Sequence, residues 1–563
     1  MNLSRSIARP RELLILLGAF FTLMSGAVAQ LPTIPTDTPG LSIPQMFYLH
    51  AKNMDIKLLP TPLITRTNAG ERPYLIESAR GKFSPTLGNL MGNDPGCWLC
   101  QAKKYGIKLI YTGISGMPHW WAEEGSTGTT PTVTTAPYDI DQTGEQCLAI
   151  GGNPAYTSPN GDCIYQEFWH NFMQKICSVP KTPKSPLAGQ CQIQFFESGN
   201  EFNVNGFWTD TPAHLAKMFN DQAVIVRKYC ADCMIIGGSV SAGGDGYAPK
   251  FAPGGGQYDN ALGQLLDAWH AIPNASLPDA ISFHMYPGHT NVAPPPFPEV
   301  MYSNSDAKCL KGSVPNKACR GSLLDQVNAI RTVINARPWL RGKNPPIFNT
   351  EFGFNGNSTL QVDTQTVSYT DEQGISHPGV TIAGPDSWKL RQAYVARSTI
   401  VAGTSGVAVN LWYQADSDCY GTLIVGPVHA KPNSNPGCKN DPVLLPVNTT
   451  GPHPFTQVTG NEGLLPTGIA FNTIHGWLHG ARVVQPPANV SGDVWTMDIV
   501  DAKGETDRIV WNTKWMRSEP FKTTYSMSTD LDEQRQPIAG GVVTIENRPV
   551  LLSGKARSTE RPR

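Results

Sequence analysis

Short apolar runs rich in β-branched and aromatic residues recur up to about residue 480, at 46–50, 63–66, 108–113, 193–196, 234–237, 281–284, 347–349 and 407–412. Helical periodicity precedes several of them, at 98–105, 212–229, 261–271, 322–336 and 387–402, with a further stretch at 473–478. Strands that alternate with helices bury both faces of a parallel sheet. The pattern therefore predicts an α/β fold, a (β/α)8 TIM barrel. Four long Gly- and Pro-rich stretches, 123–166, 287–320, 356–386 and 414–459, follow the third, sixth, seventh and eighth runs. In such a barrel the segments after the strands build the functional face, so these stretches are expected to wall a cleft.

Beyond Gly480 the texture changes to short alternating segments at 494–499, 508–511, 523–528, 541–545 and 549–552. These predict a small C-terminal antiparallel β-sandwich over 481–555, with 30–480 forming the barrel. Trp495, Trp511 and Trp515 in this region read as packing against the barrel rather than as a sugar-binding surface.

Composition adjusts this picture in three ways. A chain of 563 residues exceeds one ordinary core, as two domains require. The 54 Gly and 48 Pro exceed the usual share of roughly 12%, which fits long structured loops interleaved with aromatics. A formal charge of −1 offers nothing to draw nucleic acid or an anionic membrane. At the N-terminus, Arg5, Arg9 and Arg11 precede the apolar run 13–24, and Ala27-Val28-Ala29 matches a small-x-small cleavage site. Residues 1–29 are thus expected to be a signal peptide, cut near Gln30, with the product secreted to an extracellular or periplasmic space. No later run is long and apolar enough to span a bilayer.

Twelve cysteines follow the expected cut and fall into near neighbours: 97 with 100, 147 with 163, 177 with 191, 230 with 233, 309 with 319, and 419 with 438. An even count in a secreted chain reads as local disulfides. The two C-x-x-C pairs lack a thioredoxin-like setting or a Cys/His cluster to complete a zinc site.

Polar residues crowd two strand ends. Glu197-Ser198-Gly199-Asn200-Glu201-Phe202-Asn203 follows the fourth run, and Asn349-Thr350-Glu351-Phe352-Gly353 ends the seventh. Such groups are costly at the mouth of a barrel unless they pair or work. Cleavage of a glycoside needs two carboxyl groups flanking one bond, one protonated to assist the leaving oxygen and one ionised. Strands about three units apart aim their ends across the same mouth, which suits a separation of about 5 Å. Glu123 and Glu124 are rival carboxylates, and Glu197 reads as a supporting one.

These motifs resemble glycoside hydrolase clan A, in particular family 39 and its neighbours, over about residues 45–555. The Asn200-Glu201 pair and the Thr350-Glu351-Phe352-Gly353 run carry most of the resemblance. The third strand with Pro118-His119-Trp120 is similar too, as are Ser282-Phe283-His284-Met285-Tyr286 and Asn410-Leu411-Trp412-Tyr413. Where the clan often has Pro after the strand-four Glu, this chain has Phe202. The resemblance implies a retaining β-glycosidase without metal or organic cofactor. Glu201 would be the acid/base, its pKa raised by the neighbouring nucleophile, and Glu351 that nucleophile. Asn200 would meet the sugar 2-hydroxyl, Tyr286 would hold Glu351, and His284 would line the cleft. Trp412 and Trp120 would offer aromatic platforms, and Arg66 would steady Glu351. The expected partner is a β-linked oligo- or polysaccharide of glucan or xylan type. The alternative is an inactive carbohydrate-binding or wall-associated protein on the same barrel. An esterase is excluded by the lack of a G-x-S-x-G elbow.

Overall fold

The computed structural model describes residues 40–42, 64–67, 73–91, 98–113, 117–122, 135–141, 146–147, 156–157, 163–177, 191–204, 207–241, 259–284, 299, 310–311, 314–315, 323–352, 364–370, 376–383, 385–413, 466–513 and 517–555. Seven parallel strands follow the chain order around a barrel: β2 (Ile64–Thr67), β3 (Lys108–Thr112), β4 (Phe195–Glu197), β5 (Met234–Ser241), β6 (Ala280–His284), β7 (Ile347–Phe352) and β8 (Val407–Tyr413). A short strand, β1 (Gly40–Ser42), pairs in parallel with β2 on one side and β8 on the other. The run expected at 46–50 lies outside the described residues.

The helices expected from periodicity are present. They are α1 (Trp98–Tyr105), α3 (Pro212–Tyr229), α4 (Gln264–His270), α5 (Leu323–Asn335), α6 (Pro385–Thr404) and α7 (Pro466–Leu478). Thr211 caps α3 by accepting from the His214 amide at 3.2 Å, and Pro212 occupies its first turn, where no donor is lost. A π-turn, Asp259–Gly263, leads into α4.

One expectation needs correction. The loop drawn through residue 166 already contains the start of a helix, α2 (Cys163–Cys177), whereas residues 473–478 lie on α7 as expected. Twelve of the fifteen α2 residues are buried, so helix burial on nearly all sides erases the polar stripe that amphipathic reading relies on. The loops after β3, β6 and β7 carry small antiparallel hairpins, the longest pairing Thr364–Thr370 with Ser376–Ala383. The stretch 414–459 lies outside the described residues.

Inside the barrel, Ile64, Ile110, Ile236, Ala280, Phe348, Val409 and Leu411 pack on one another as a solid plug. A larger cluster fills the space between strands and helices and includes Trp121, Trp169, Trp208 and Trp269. At the lower rim, disulfides Cys177–Cys191 and Cys230–Cys233 tie the ends of α2 and α3 to the starts of β4 and β5. Sulfurs of Cys191, Cys230 and Cys233 lie within 4.8 Å of one another, yet all are committed to bridges. Cys100 and Cys163 are also disulfide-bonded. The remaining expected pairings involve cysteines whose side chains lie outside the described residues.

The C-terminal segment forms antiparallel sheets. Six strands run in the order Arg482–Ser491, Val494–Val500, Thr506–Asn512, Val550–Lys555, Tyr525–Thr529 and Arg535–Pro537. A separate pair joins Glu519–Lys522 to Val542–Ile545. Met497, Ile499, Ile509 and Trp511 pack on Ala396 and Ile400 of α6 and on Ala470 and Ile474 of α7. Trp511 is fully buried and stacks on Trp495, so both pack against the barrel as expected; Trp515 lies outside the described residues.

One buried carboxyl makes stability depend on pH. Glu77 accepts the Gly81 amide at 2.7 Å through one oxygen, while the other has no partner. Burial pushes its pKa from 4.5 up to about 8. The folded value lies above the unfolded one, so this group's effect is neutral below about 4.5. Stability is then lost as pH rises toward 8, because only the unfolded chain ionises freely. Glu77→Gln is expected to raise the melting free energy at pH 7 by on the order of 3 kcal/mol and to leave it nearly unchanged at pH 4. Equal effects at both values in paired thermal melts would contradict this assignment.

Candidate active site

The inward-facing rows of the barrel change character toward the C-terminal ends of the strands. Because side chains alternate with period two, the plug residues are followed two positions on by polar ones. Ile64 leads to Arg66, Ile110 to Thr112, Phe195 to Glu197, and Phe348 to Thr350. All four polar residues are buried. Register sets Thr112 opposite Glu197, while Arg66 stands opposite Ile110 and Glu197 opposite Ile236, so the polar groups rise in steps from the plug.

Arg66 organises this layer. Its Nε pairs closely with Glu197, and its Nη1 donates to Glu351 Oε2 at 3.0 Å. Nη2 donates to Asn200 Oδ1 at 2.8 Å and to Ser239 Oγ at 3.1 Å. Glu197 also accepts from Thr112 Oγ1 at 3.0 Å and Thr350 Oγ1 at 2.6 Å. Burial acts against the charge on Glu197, but the attraction of Arg66, then of His284, with the Thr350 hydroxyl, holds its pKa below the usual carboxylate value. Burial likewise opposes the charge on Arg66, and Glu197 and Glu351 outweigh it and raise its pKa.

The two glutamates singled out by the motifs sit above this layer and meet at one nitrogen. His284 Nδ1 lies 2.9 Å from Glu201 Oε1 and 3.4 Å from Glu351 Oε2. The two oxygens are therefore at most about 6.3 Å apart, the sum of those distances. Solvent reaches 17% of the Glu201 side chain and 12% of Glu351, but none of Arg66, Glu197 or His284. Only Glu201 and Glu351, of the carboxylates in this cluster, are open to an incoming molecule. Glu197 is a support, as the sequence suggested.

One expectation is overturned. Glu201 was to have a raised pKa, and burial does act in that direction. It is outweighed by the hydrogen bond and attraction of His284, a hydrogen bond from Ser241, and the charge of Arg66, which together lower it. The cause is position: His284 stands between the two glutamates, and with the nearby charge of Arg66 it favours the ionised form of Glu201.

Other expected residues are distributed as follows. Asn200 is buried beside Arg66. Trp412 is buried and set edge-on to Phe352, with centroids 4.8 Å apart. Trp120 and Trp121 are both buried and perpendicular to each other, and the Trp120 indole donates to the Glu77 carbonyl at 3.4 Å. Phe202, standing where the clan often has Pro, packs edge-on against Phe219. Tyr286, Glu123 and Glu124 lie outside the described residues. Sequence reasoning missed Thr112, Thr350 and Ser239. The first two were discoverable as inward positions two residues beyond plug residues. The signal for Ser239 was the preceding Gly237-Gly238 pair, since glycine inside a strand marks a bulge or a close backbone approach.

No family model matches the chain, and no curated protein matches it by sequence. Solved structures do. A family 39 glycoside hydrolase from Bacteroides cellulosilyticus WH2 aligns with 92% of this chain and 81% of its own, at 15% identity and a TM-score of 0.52. A family 51 arabinofuranosidase from Xanthomonas axonopodis pv. citri aligns over 93% of this chain and 98% of its own, at 10% identity and TM-score 0.48. A monomeric beta-xylosidase from Caulobacter crescentus CB15 aligns over 94% and 98%, at 12% identity and TM-score 0.48. The likeness to the family 39 enzyme shows that this chain has the fold of a glycoside hydrolase barrel.

The buried cation is testable without any substrate. Arg66→Met leaves Glu197 buried without its main partner and is expected to cost about 3–5 kcal/mol in denaturant unfolding. Adding Glu197→Gln should recover part of that loss. A single variant as stable as the parent would show that Arg66 does not hold the layer together.

Proposed function

We propose that this protein is a secreted glycosidase that hydrolyses a β-linked oligo- or polysaccharide, of glucan or xylan type, with retention of configuration. The observation that carries the reading is the pair of solvent-reachable carboxylates, Glu201 and Glu351, sharing His284 Nδ1 on an otherwise sealed charged layer. A ceiling of about 6.3 Å on their facing oxygens falls below the ~6.5–9.5 Å used by inverting pairs. It admits the ~5 Å of double displacement, in which no water need fit between carboxylate and sugar. We further propose an eight-stranded (β/α)8 barrel completed by β1, a C-terminal sandwich over 481–555, and removal of residues 1–29 on export.

In this reading Glu351 attacks the anomeric carbon while Glu201 gives its proton to the departing oxygen. Glu201 then takes a proton from the water that cleaves the glycosyl ester. Arg66 keeps Glu351 ionised and oriented. By occupying Asn200 Oδ1, it also leaves the Asn200 NH2 as the donor for a sugar 2-hydroxyl. Tyr286 is proposed to hold Glu351, while Trp412 and Trp120, both buried, back the site from behind rather than offering open platforms.

Glu351→Ala is expected to lower kcat on an aryl β-glycoside by at least 10³-fold, with azide restoring part of it as a product of inverted configuration. Full activity in that variant would remove Glu351 from the chemistry. Glu201→Gln should lose far more activity on poor leaving groups than on good ones; equal losses would deny it the acid role.

The pH profile follows from the lowered pKa of Glu201. The acid must be protonated in the free enzyme, so kcat/KM falls as pH rises through that value. His284→Leu removes the strongest donor to the ionised form, and the falling limb should move to higher pH. A limb that stays in place would separate His284 from the ionisation of Glu201.

A further inference from the structure

The pairing of β5 with β6 breaks at one point. Gly237 faces Ile281 and Gly238 faces Ser282, but Val240 then faces Phe283 and Ser241 faces His284. Ser239 is the extra residue of a β-bulge. The backbone there is left-handed, with φ of 121° at Gly238 and 66° at Ser239. A Cβ at residue 238 would sit 2.4 Å from the Ser282 carbonyl oxygen, so glycine is required at that position. Serine at 239, with φ of 66°, holds an uncommon conformation for a residue with a side chain. The conformation delivers two contacts at once. The Ser239 carbonyl accepts the amide of Glu201 at 2.7 Å, and Glu201 is itself left-handed, with φ of 42°. The Ser239 hydroxyl meets Arg66 Nη2 at 3.1 Å and His284 Nε2 at 2.9 Å.

The partners of the two ring nitrogens constrain the protons. A guanidinium only donates, so the Arg66 contact uses one lone pair of the Ser239 oxygen and leaves its hydrogen available to His284 Nε2. Carboxylates only accept, so the ring nitrogen facing Glu201 and Glu351 must carry a hydrogen, and in the neutral ring Nε2 is then the acceptor. Nδ1 thus aims its hydrogen at Glu201 Oε1 and Glu351 Oε2. The opposite tautomer would set a lone pair against two carboxylates.

We infer that Ser239 is a positioning residue: its strained bulge places a hydroxyl that fixes His284 as the Nδ1–H tautomer and so directs an N–H at the carboxylate pair. The catalytic consequence rests on the glycosidase reading of Glu201 and Glu351; the tautomer does not. The chain Arg66 to Ser239 to His284 to Glu201 links the buried cation to the proposed acid through hydrogen bonds of one direction. Nothing in the clan resemblance assigns a role to this position.

The test uses the full chain labelled with ¹⁵N-histidine near neutral pH. Long-range ¹H–¹⁵N correlation reads the protonation of each ring nitrogen, and His284→Gln identifies the resonance by its disappearance. The expected wild-type pattern is a protonated Nδ1 and a bare Nε2. Ser239→Gly removes the hydroxyl, and relief of the left-handed backbone offsets part of the loss of its two buried hydrogen bonds; a cooperative thermal melt establishes that the variant is folded. In it, His284 should shift toward the Nε2–H form or a mixture, and kcat should fall tenfold or more with KM changed less than threefold. A wild-type His284 with Nε2 protonated, or a Ser239→Gly protein with the wild-type tautomer, overturns the inference. Absence of turnover on every glycoside tried would count against the proposed function and leave the tautomer result standing.

Discussion

A guanidinium with no exposure to solvent lies at the mouth of this barrel, and the arrangement of every charged group around it follows from its need for partners. At 3.0 Å and an effective dielectric near 20, each ion pair of Arg66 is worth about 5 kcal/mol. Removing the ions from water costs several kcal/mol apiece, so the cluster contributes little net stability. What it supplies is placement. Five donors in a rigid plane face Glu197 on β4, Glu351 on β7, Asn200 after β4 and Ser239 on β5. The ends of β2, β4 and β7, which share no direct pairing, are thereby held in one geometry, and the two reachable carboxylates fall within reach of a single imidazole nitrogen.

The arrangement also divides labour among three glutamates of the same intrinsic chemistry. Glu197 is sealed under the layer and satisfied by two threonine hydroxyls and Arg66, which leaves it no role beyond fixing the cation. Glu351 shares the cation and faces the opening. Glu201 hangs from a left-handed residue and is held from below by the Ser239 carbonyl and from the side by His284. A second buried ion pair does similar work far from the barrel mouth. Glu299, in the segment after β6, takes both the indole hydrogen of Trp511 at 2.7 Å and a close contact from Arg397 of α6. A segment that follows a barrel strand is thus anchored to the C-terminal sheet.

Much of this was legible in the sequence because barrel strands announce themselves by short β-branched runs and because polar residues at their ends are conspicuous. Seven runs match strands to within a few residues, and Glu201, Glu351, His284, Asn200 and Arg66 do come together. Features that depend on tertiary context were not legible. Helix α2 is buried almost all round and lost its polar stripe. The lowered pKa of Glu201 depends on where Arg66 and His284 stand, which spacing along the chain does not encode. Ser239 matters through one extra residue in a strand pair, a register detail that only pairing reveals.

The central claim is that the Arg66 layer sets Glu201 and Glu351 close enough for a covalent glycosyl-enzyme intermediate. The most direct measurement follows the anomeric proton of the first product formed from an aryl β-glycoside, by ¹H NMR, before mutarotation. The account predicts that the β-anomer appears first. First appearance of the α-anomer would mean that a water lies between carboxylate and sugar, and would contradict it.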